Sequence, residues 1–231
     1  MRKIAQQTET FKYFHYFGTI IPQNWKMLTK EHTILEAFMA KPWKSLTFSQ
    51  VKKLSKNKSD NYVHKTLKQF VKDSILKQQK VGNNIVYSIN NSTFALNTVG
   101  FISEYKANKA NYLPHKNIQK IINKIKTSFY ALIITGSYAK KQQKPTSDID
   151  IVIICDSKQK PNAILSQVKL ESELMTPEAH PYVFTQSQFY EMLINKEENY
   201  GKEIARNNLI VTGGKQYYKI LMEAIENGFD G

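Results

Sequence analysis

Cysteine is almost absent from this sequence of 231 residues. Its single copy, Cys155, ends an apolar run beginning at Ile151. A lone thiol excludes an internal disulfide and points to a reducing compartment. Long hydrophobic runs are missing too, and none reaches the ~18 residues of a membrane span. The first residues lack the apolar core of a signal peptide, since Gln6, Gln7, Thr8 and Glu9 follow Arg2 and Lys3. These absences predict a cytoplasmic protein with no membrane partner. His15, His32, His64 and His115 show no metal-ligand spacing, and there is no nucleophile–base motif, internal repeat or low-complexity segment.

Acidic side chains are scarce: 19 Asp and Glu stand against 33 Lys and Arg, for a formal charge of +14. The excess is uneven. Residues 1–90 hold 16 basic against 5 acidic side chains, residues 91–231 hold 17 against 14. A basic region attracts phosphate backbones, although lysine enrichment can also reflect genome composition. With 41% hydrophobic and 23% charged residues the chain is globular, and long enough for one large or two small cores.

Residues 1–27 form an extension whose aromatic segment, Phe11–Phe17, follows no clear period. Packing as an extra arm is one reading of it, and a dispensable extension is another. From Thr29 the pattern is regular. Ile34, Leu35, Phe38 and Met39 make a helical stripe that Pro42 ends. Thr47 and Gln50 have capping-box spacing, and Val51 and Leu54 point inward from the helix they open. Ser59 is a good N-cap for a third helix, in which Val63, Leu67, Phe70 and Val71 share a face. Asn61, Lys65, Lys68 and Lys72 lie away from it. Ile75–Lys80, a turn over Val81–Asn84, and Ile85–Ile89 read as a β-hairpin.

Three helices and a hairpin over residues 28–91 resemble a winged helix-turn-helix. The resemblance implies that the third helix enters the DNA major groove and the hairpin touches the backbone. Asn61, His64, Lys65 and Lys68 would then face DNA, with Lys80 and Asn84 on the wing. Winged helices also serve as protein–protein modules.

Residues 92–127 are expected to be helical in two pieces broken near Pro114. A connector over 92–113 would precede the first helix of a C-terminal domain over 114–231, marked by Ile118, Ile121, Ile122 and Ile125. Strands are expected at Phe129–Thr135, Asp148–Cys155, Pro181–Thr185 and Leu209–Thr212. Helices are expected at Pro161–Glu173, Gln186–Lys196, Glu197–Asn207 and Lys215–Glu226. This alternation indicates an α/β domain with a small mixed sheet, and with the N-terminal part an α+β chain.

The chemistry concentrates in residues 135–150. Gly136-Ser137 follows one apolar strand, and after ten intervening residues Asp148-Ile149-Asp150 opens another. Strand residues alternate faces, so the two carboxylates share one side. Side by side they repel unless a cation lies between them, and oxygen ligands suit Mg²⁺ or Mn²⁺. Gly136 permits a tight turn that would aim Ser137 and the next amides at a phosphate.

This pattern resembles the DNA polymerase β-like nucleotidyltransferases, closest to the small prokaryotic minimal type, over roughly residues 115–226. The resemblance implies that a divalent cation held by Asp148 and Asp150 meets a nucleoside triphosphate gripped by Gly136 and Ser137. Lys140 and Ser147 would lie close enough to assist. An acceptor hydroxyl would attack the α-phosphorus and pyrophosphate would leave. Active members carry a third carboxylate on a later strand, whereas residues 179–185 hold none. His180 stands in that place as a candidate ligand, although imidazole is a poor Mg²⁺ ligand. The alternative is therefore a DNA-binding regulator that senses a nucleotide without turnover. The family also includes antitoxins with a toxin partner. Thr212–Gly214 could form an anion nest but reads rather as a turn. Glu197, Glu198 and Glu203 are expected on a solvated helix face.

Overall fold

The computed structural model describes residues 13–16, 19–22, 28–156 and 158–231. Of the extension only a backbone strand pair is described, β1 (Tyr13–Tyr16) antiparallel to β2 (Thr19–Pro22). The packing of this segment as an arm lies outside the described residues.

Helix α1 (Lys30–Met39) buries Ile34, Leu35 and Phe38. A two-residue strand β3 (Leu46–Thr47) leads into α2 (Phe48–Leu54), where Thr47 and Gln50 form the expected capping box. Leu54 departs from expectation: it is 54% exposed, because α2 ends there and Ser55 turns the chain away. In α3 (Asp60–Lys72), capped by Ser59, Val63, Leu67 and Phe70 are buried. Strands β4 (Leu76–Val81) and β5 (Asn84–Ile89) form the hairpin. Its turn is Gly82-Asn83, two residues rather than four, since Val81 pairs with Asn84 in the ladder. Together with β3 they make an antiparallel sheet in the order β3-β5-β4.

Helix α4 (Thr93–Lys109) was expected as a connector but packs as a core element against α10 (Gly214–Glu226). The two helices cross at glycines. A Cβ on Gly100 would stand 2.6 Å from the Lys215 nitrogen, and one on Gly214 would stand 2.7 Å from the Gly100 Cα. Real Cβ atoms do not approach that closely, so only glycine lets the backbones touch. Glu104, buried on α4, accepts a 2.6 Å hydrogen bond from the Gly214 amide. The Thr212–Gly214 turn thus already holds an anion, the chain's own carboxylate, at the positive end of α10.

Helix α5 (His115–Lys124) precedes β6 (Tyr130–Ile134), the short α6 (Gly136–Ala139) and β7 (Ile149–Cys155). Then follow α7 (Pro161–Glu173), β8 (Ala179–Thr185), α8 (Gln186–Ile194), α9 (Tyr200–Arg206) and β9 (Leu209–Thr212). The four strands form one mixed sheet in the order β8-β7-β6-β9, with only β7 and β8 parallel. Pro181 is accommodated because β8 is an edge strand.

The sheet's two faces follow from strand alternation. Leu132, Ile134, Ile149, Ile151, Ile153 and Cys155 pack against α5 and α7. Ala131, Ile133, Val152 and Ile154 face α4, α8 and α10, in a core continuous with α1–α3 and the hairpin. Asp150 extends the second row, two residues before Val152. Its side chain therefore emerges where that face runs out of apolar cover.

Candidate functional site

The site is assembled at the junction of β6 and β7. Thr135 follows β6 and its amide donates to the Asp150 carbonyl at 3.0 Å. That bond holds the strand end beside the start of β7. Gly136 follows with a left-handed φ of +65°. Its Cα lies so close to Asp150 that a Cβ would overlap the carboxylate. Glycine is required twice over here, for the conformation and for the space. Ser137 and Tyr138 continue into the short turn of helix, with Ser137 half-buried.

Asp148 lies just before β7, which starts at Ile149 rather than at Asp148. Ile149 and Ile151 are fully buried, so Asp148 and Asp150 emerge together on the opposite side. Burial raises the Asp150 carboxyl above its ordinary range, and the charges of Asp148 and Glu203 push it the same way while His180 opposes them. Asp148 is half-exposed.

The parallel register sets His180 directly beside Asp150. Its Nε2 stands 3.9 Å from the Asp148 carboxylate and 4.0 Å from that of Glu178. Glu178 precedes β8, and its carbonyl accepts from the Ile149 amide at 2.9 Å. His180 thus stands beside Asp150 on β8, the strand on which the resemblance implies a third carboxylate. Among the described residues, no group of three or more His, Cys, Asp or Glu could hold a metal ion.

The other expected phosphate contacts are engaged elsewhere. Ser147 Oγ accepts from the Lys144 amide at 2.8 Å, closing the loop before the acids. Lys140 reaches the Glu203 carboxylate at 3.1 Å.

Helix α9, which the sequence did not connect with this region, walls the site. It begins at Tyr200, so Glu197 and Glu198 precede it, and Glu198 makes a two-pronged ion pair with Arg206. Glu203 is no solvated bystander, because it holds Lys140 and acts electrostatically on Asp150. Thr135 Oγ1 donates to the Asn207 carbonyl at 2.7 Å, tying the end of α9 to the glycine turn. The Tyr200 hydroxyl is buried without a hydrogen-bond partner, and burial, followed by the charge of Asp150, raises its pKa strongly. The Tyr200 ring packs on Tyr182 with centroids 5.0 Å apart. Tyr182, two residues after His180, was readable by alternation as sharing its face. Nothing in the linear sequence linked Tyr200 or Glu203 to Asp150.

The residues expected to read DNA are all exposed: Asn61, His64, Lys65 and Lys68 on α3, and Lys80 and Asn84 on the hairpin. His64 stacks on Phe48 with centroids 3.9 Å apart, which fixes its ring against α2. Lys52, Lys53, Lys56 and Lys58 border an adjoining surface cavity of about 610 Å³. Among the described residues no helix is long and apolar enough to cross a membrane.

A family model described as "Polymerase beta, Nucleotidyltransferase" matches residues 116–212. One similar solved structure is described as "Crystal structure of the toxin-antitoxin with AMP-PNP". The similarity covers 49% of this chain and 86% of that one, at 14% identity and a TM-score of 0.37. No curated protein matches the chain. The glycine turn, the paired acids and the mixed sheet all lie within residues 116–212, the segment that matches this nucleotidyltransferase family model.

Proposed function

We propose that the chain transfers a nucleoside monophosphate from a nucleoside triphosphate to an acceptor hydroxyl, with a divalent cation held by Asp148 and Asp150. The observation that carries this reading is the contact between Gly136 and the Asp150 carboxylate. A Gly-Ser turn set against the strand that carries Asp150 supports a phosphate grip beside a cation site. Two oxygen donors on one side, one held up in pKa by burial and by its neighbour, suit a hard cation such as Mg²⁺ or Mn²⁺. With two protein carboxylates available, water and the triphosphate itself would complete the coordination sphere, as is usual for Mg²⁺. The cation would supply charge neutralisation at the attacking and leaving oxygens.

The protein's own groups do the rest. The Gly136–Ser137 amides and the Ser137 hydroxyl receive the β- and γ-phosphates. Lys140 can exchange Glu203 for a phosphate oxygen. Tyr200 and its neighbours exclude water from the Asp150 side. Labelled nucleoside triphosphate incubated with Mg²⁺ or Mn²⁺ and cell lysate labels an acceptor. Equal labelling by an Asp148→Asn/Asp150→Asn double variant refutes the assignment.

A second reading is favoured by His180, which stands beside Asp150 in place of an oxygen ligand. In this reading the chain binds the triphosphate without turning it over and reports it to DNA. Both readings share a winged-helix role for residues 28–91, supported by the exposed row Asn61, His64, Lys65 and Lys68. Stoichiometric nucleotide binding with no pyrophosphate release separates sensing from transfer.

A further inference from the structure

A cleft of about 510 Å³ opens between α1, the end of α2, α4 and β9, apart from Asp148 and Asp150. That volume suits a small molecule, and such sites favour the junction between two parts of a chain. One wall comes from the N-terminal helices. The other comes from an edge strand of the C-terminal sheet. Most of the lining is apolar, with Ala37 and Met39 from α1, Leu54 from α2 and Leu209 from β9. The cleft also explains where Leu54 goes: the side chain that periodicity points inward is 54% exposed, and it borders this space.

The polar groups of the lining are few and have a definite charge. Lys106 is neutralised by Glu36, 2.7 Å away. Lys56 has no carboxylate partner among the described residues, so two lysines stand against one glutamate in the lining. The Ser103 and Tyr218 hydroxyls, 3.0 Å apart, add a hydrogen-bonding pair, and Tyr218 is otherwise buried. An apolar cleft with a few convergent polar groups and one uncompensated cation is complementary to a ligand with an apolar body and a single anionic head.

We propose that this cleft binds a small amphipathic monoanion, such as a medium-chain carboxylate, with its apolar body against Met39 and Leu54 and its head at Lys56. The site stands independently of the transferase reading. Its occupant touches both parts of the molecule. Lys56 also borders the basic cavity beside α3, and Asn208 on the opposite wall follows Asn207, whose carbonyl holds the Thr135 hydroxyl before the glycine turn.

The test titrates the full chain with octanoate and with octanol, which has the same body and no charge. Calorimetry should give one saturable site that prefers the acid. Lys56→Ala should weaken octanoate roughly five-fold, the order of one partly exposed charge pair, and leave octanol unchanged. Leu54→Glu, a surface change that the fold tolerates, should weaken octanoate on the order of ten-fold by removing apolar contact and adding a like charge. Methyl-labelled methionine locates the ligand without reference to affinity: octanoate should shift the Met39 resonance and leave that of Met175, in the core on the other face of the sheet, in place. Absence of octanoate binding, equal wild-type affinity for acid and alcohol, unchanged affinity in both variants, or a silent Met39 methyl overturns the proposal. None of these results bears on nucleotide transfer, which the Asp148→Asn/Asp150→Asn variant tests separately.

Discussion

Gly136 and Asp150 touch without any side chain between them: the glycine's Cα stands where a Cβ would run into the Asp150 carboxylate. Gly136→Ala therefore meets both a left-handed φ and a collision. The variant should lose about 1–3 kcal/mol of stability and most transfer activity. Urea unfolding and nucleotide labelling read the two effects. A variant as stable and active as wild type would remove the turn from the site.

Asp150 is held in a place that disfavours its charge. A raised folded pKa means that the ionised carboxylate costs stability at neutral pH, and that this cost disappears once the group is protonated in both states. Asp150→Asn should melt a few degrees higher than wild type at neutral pH without divalent cation. The difference should shrink to nothing as the pH falls below the ordinary aspartate range. Adding Mn²⁺ with triphosphate should raise the melting temperature of wild type and not of the variant.

The Lys140–Glu203 pair is exposed enough that its breakage should change stability by less than about 0.5 kcal/mol. Its consequence belongs to substrate binding. Glu203→Gln frees Lys140 and removes a negative charge acting on Asp150, so triphosphate should bind several-fold more tightly, whereas Lys140→Ala should bind it more weakly. Calorimetric titration measures both. Unchanged affinity in Glu203→Gln would mean that the lysine has no part in phosphate binding.

Glu104 is buried and holds the first amide of α10. Glu104→Ala should cost about 1–3 kcal/mol, read by denaturant midpoint, because the amide loses its partner inside the core. The Thr212–Gly214 turn is already filled by this carboxylate, so wild type should show no phosphate binding there.

On the N-terminal part, Lys65→Ala/Lys68→Ala should weaken DNA binding evenly across sequences and reduce the salt slope by about 2, one per lysine. Filter binding over a salt series measures it. An unchanged slope would exclude α3 as the phosphate-contacting helix.

Much of this molecule was written in local sequence. The capping box of Thr47 and Gln50, the Ser59 cap, and helix Pro161–Glu173 depend on neighbours a few residues apart, and they formed as read. Alternation predicts a shared side for Asp148 and Asp150, although Asp148 stands just before β7. Where local signals were ambiguous, packing decided. Helix α4 has too little polarity contrast between its faces to reveal that it is a core element, and only the Gly100–Gly214 crossing makes it one. Val81 and Asn84 carry turn-like neighbours, yet the cross-strand ladder claims both.

The sequence by itself determined the element types and the Gly-Ser and Asp-Ile-Asp constellation, because these rest on backbone conformation and side-chain alternation. The tertiary structure alone decided what surrounds them. Register set His180 beside Asp150, and the return of the chain through α9 brought Tyr200 and Glu203 against a strand fifty residues away. Such pairings arise from how the sheet's two faces are covered, a property of the packed whole that no stretch of sequence contains.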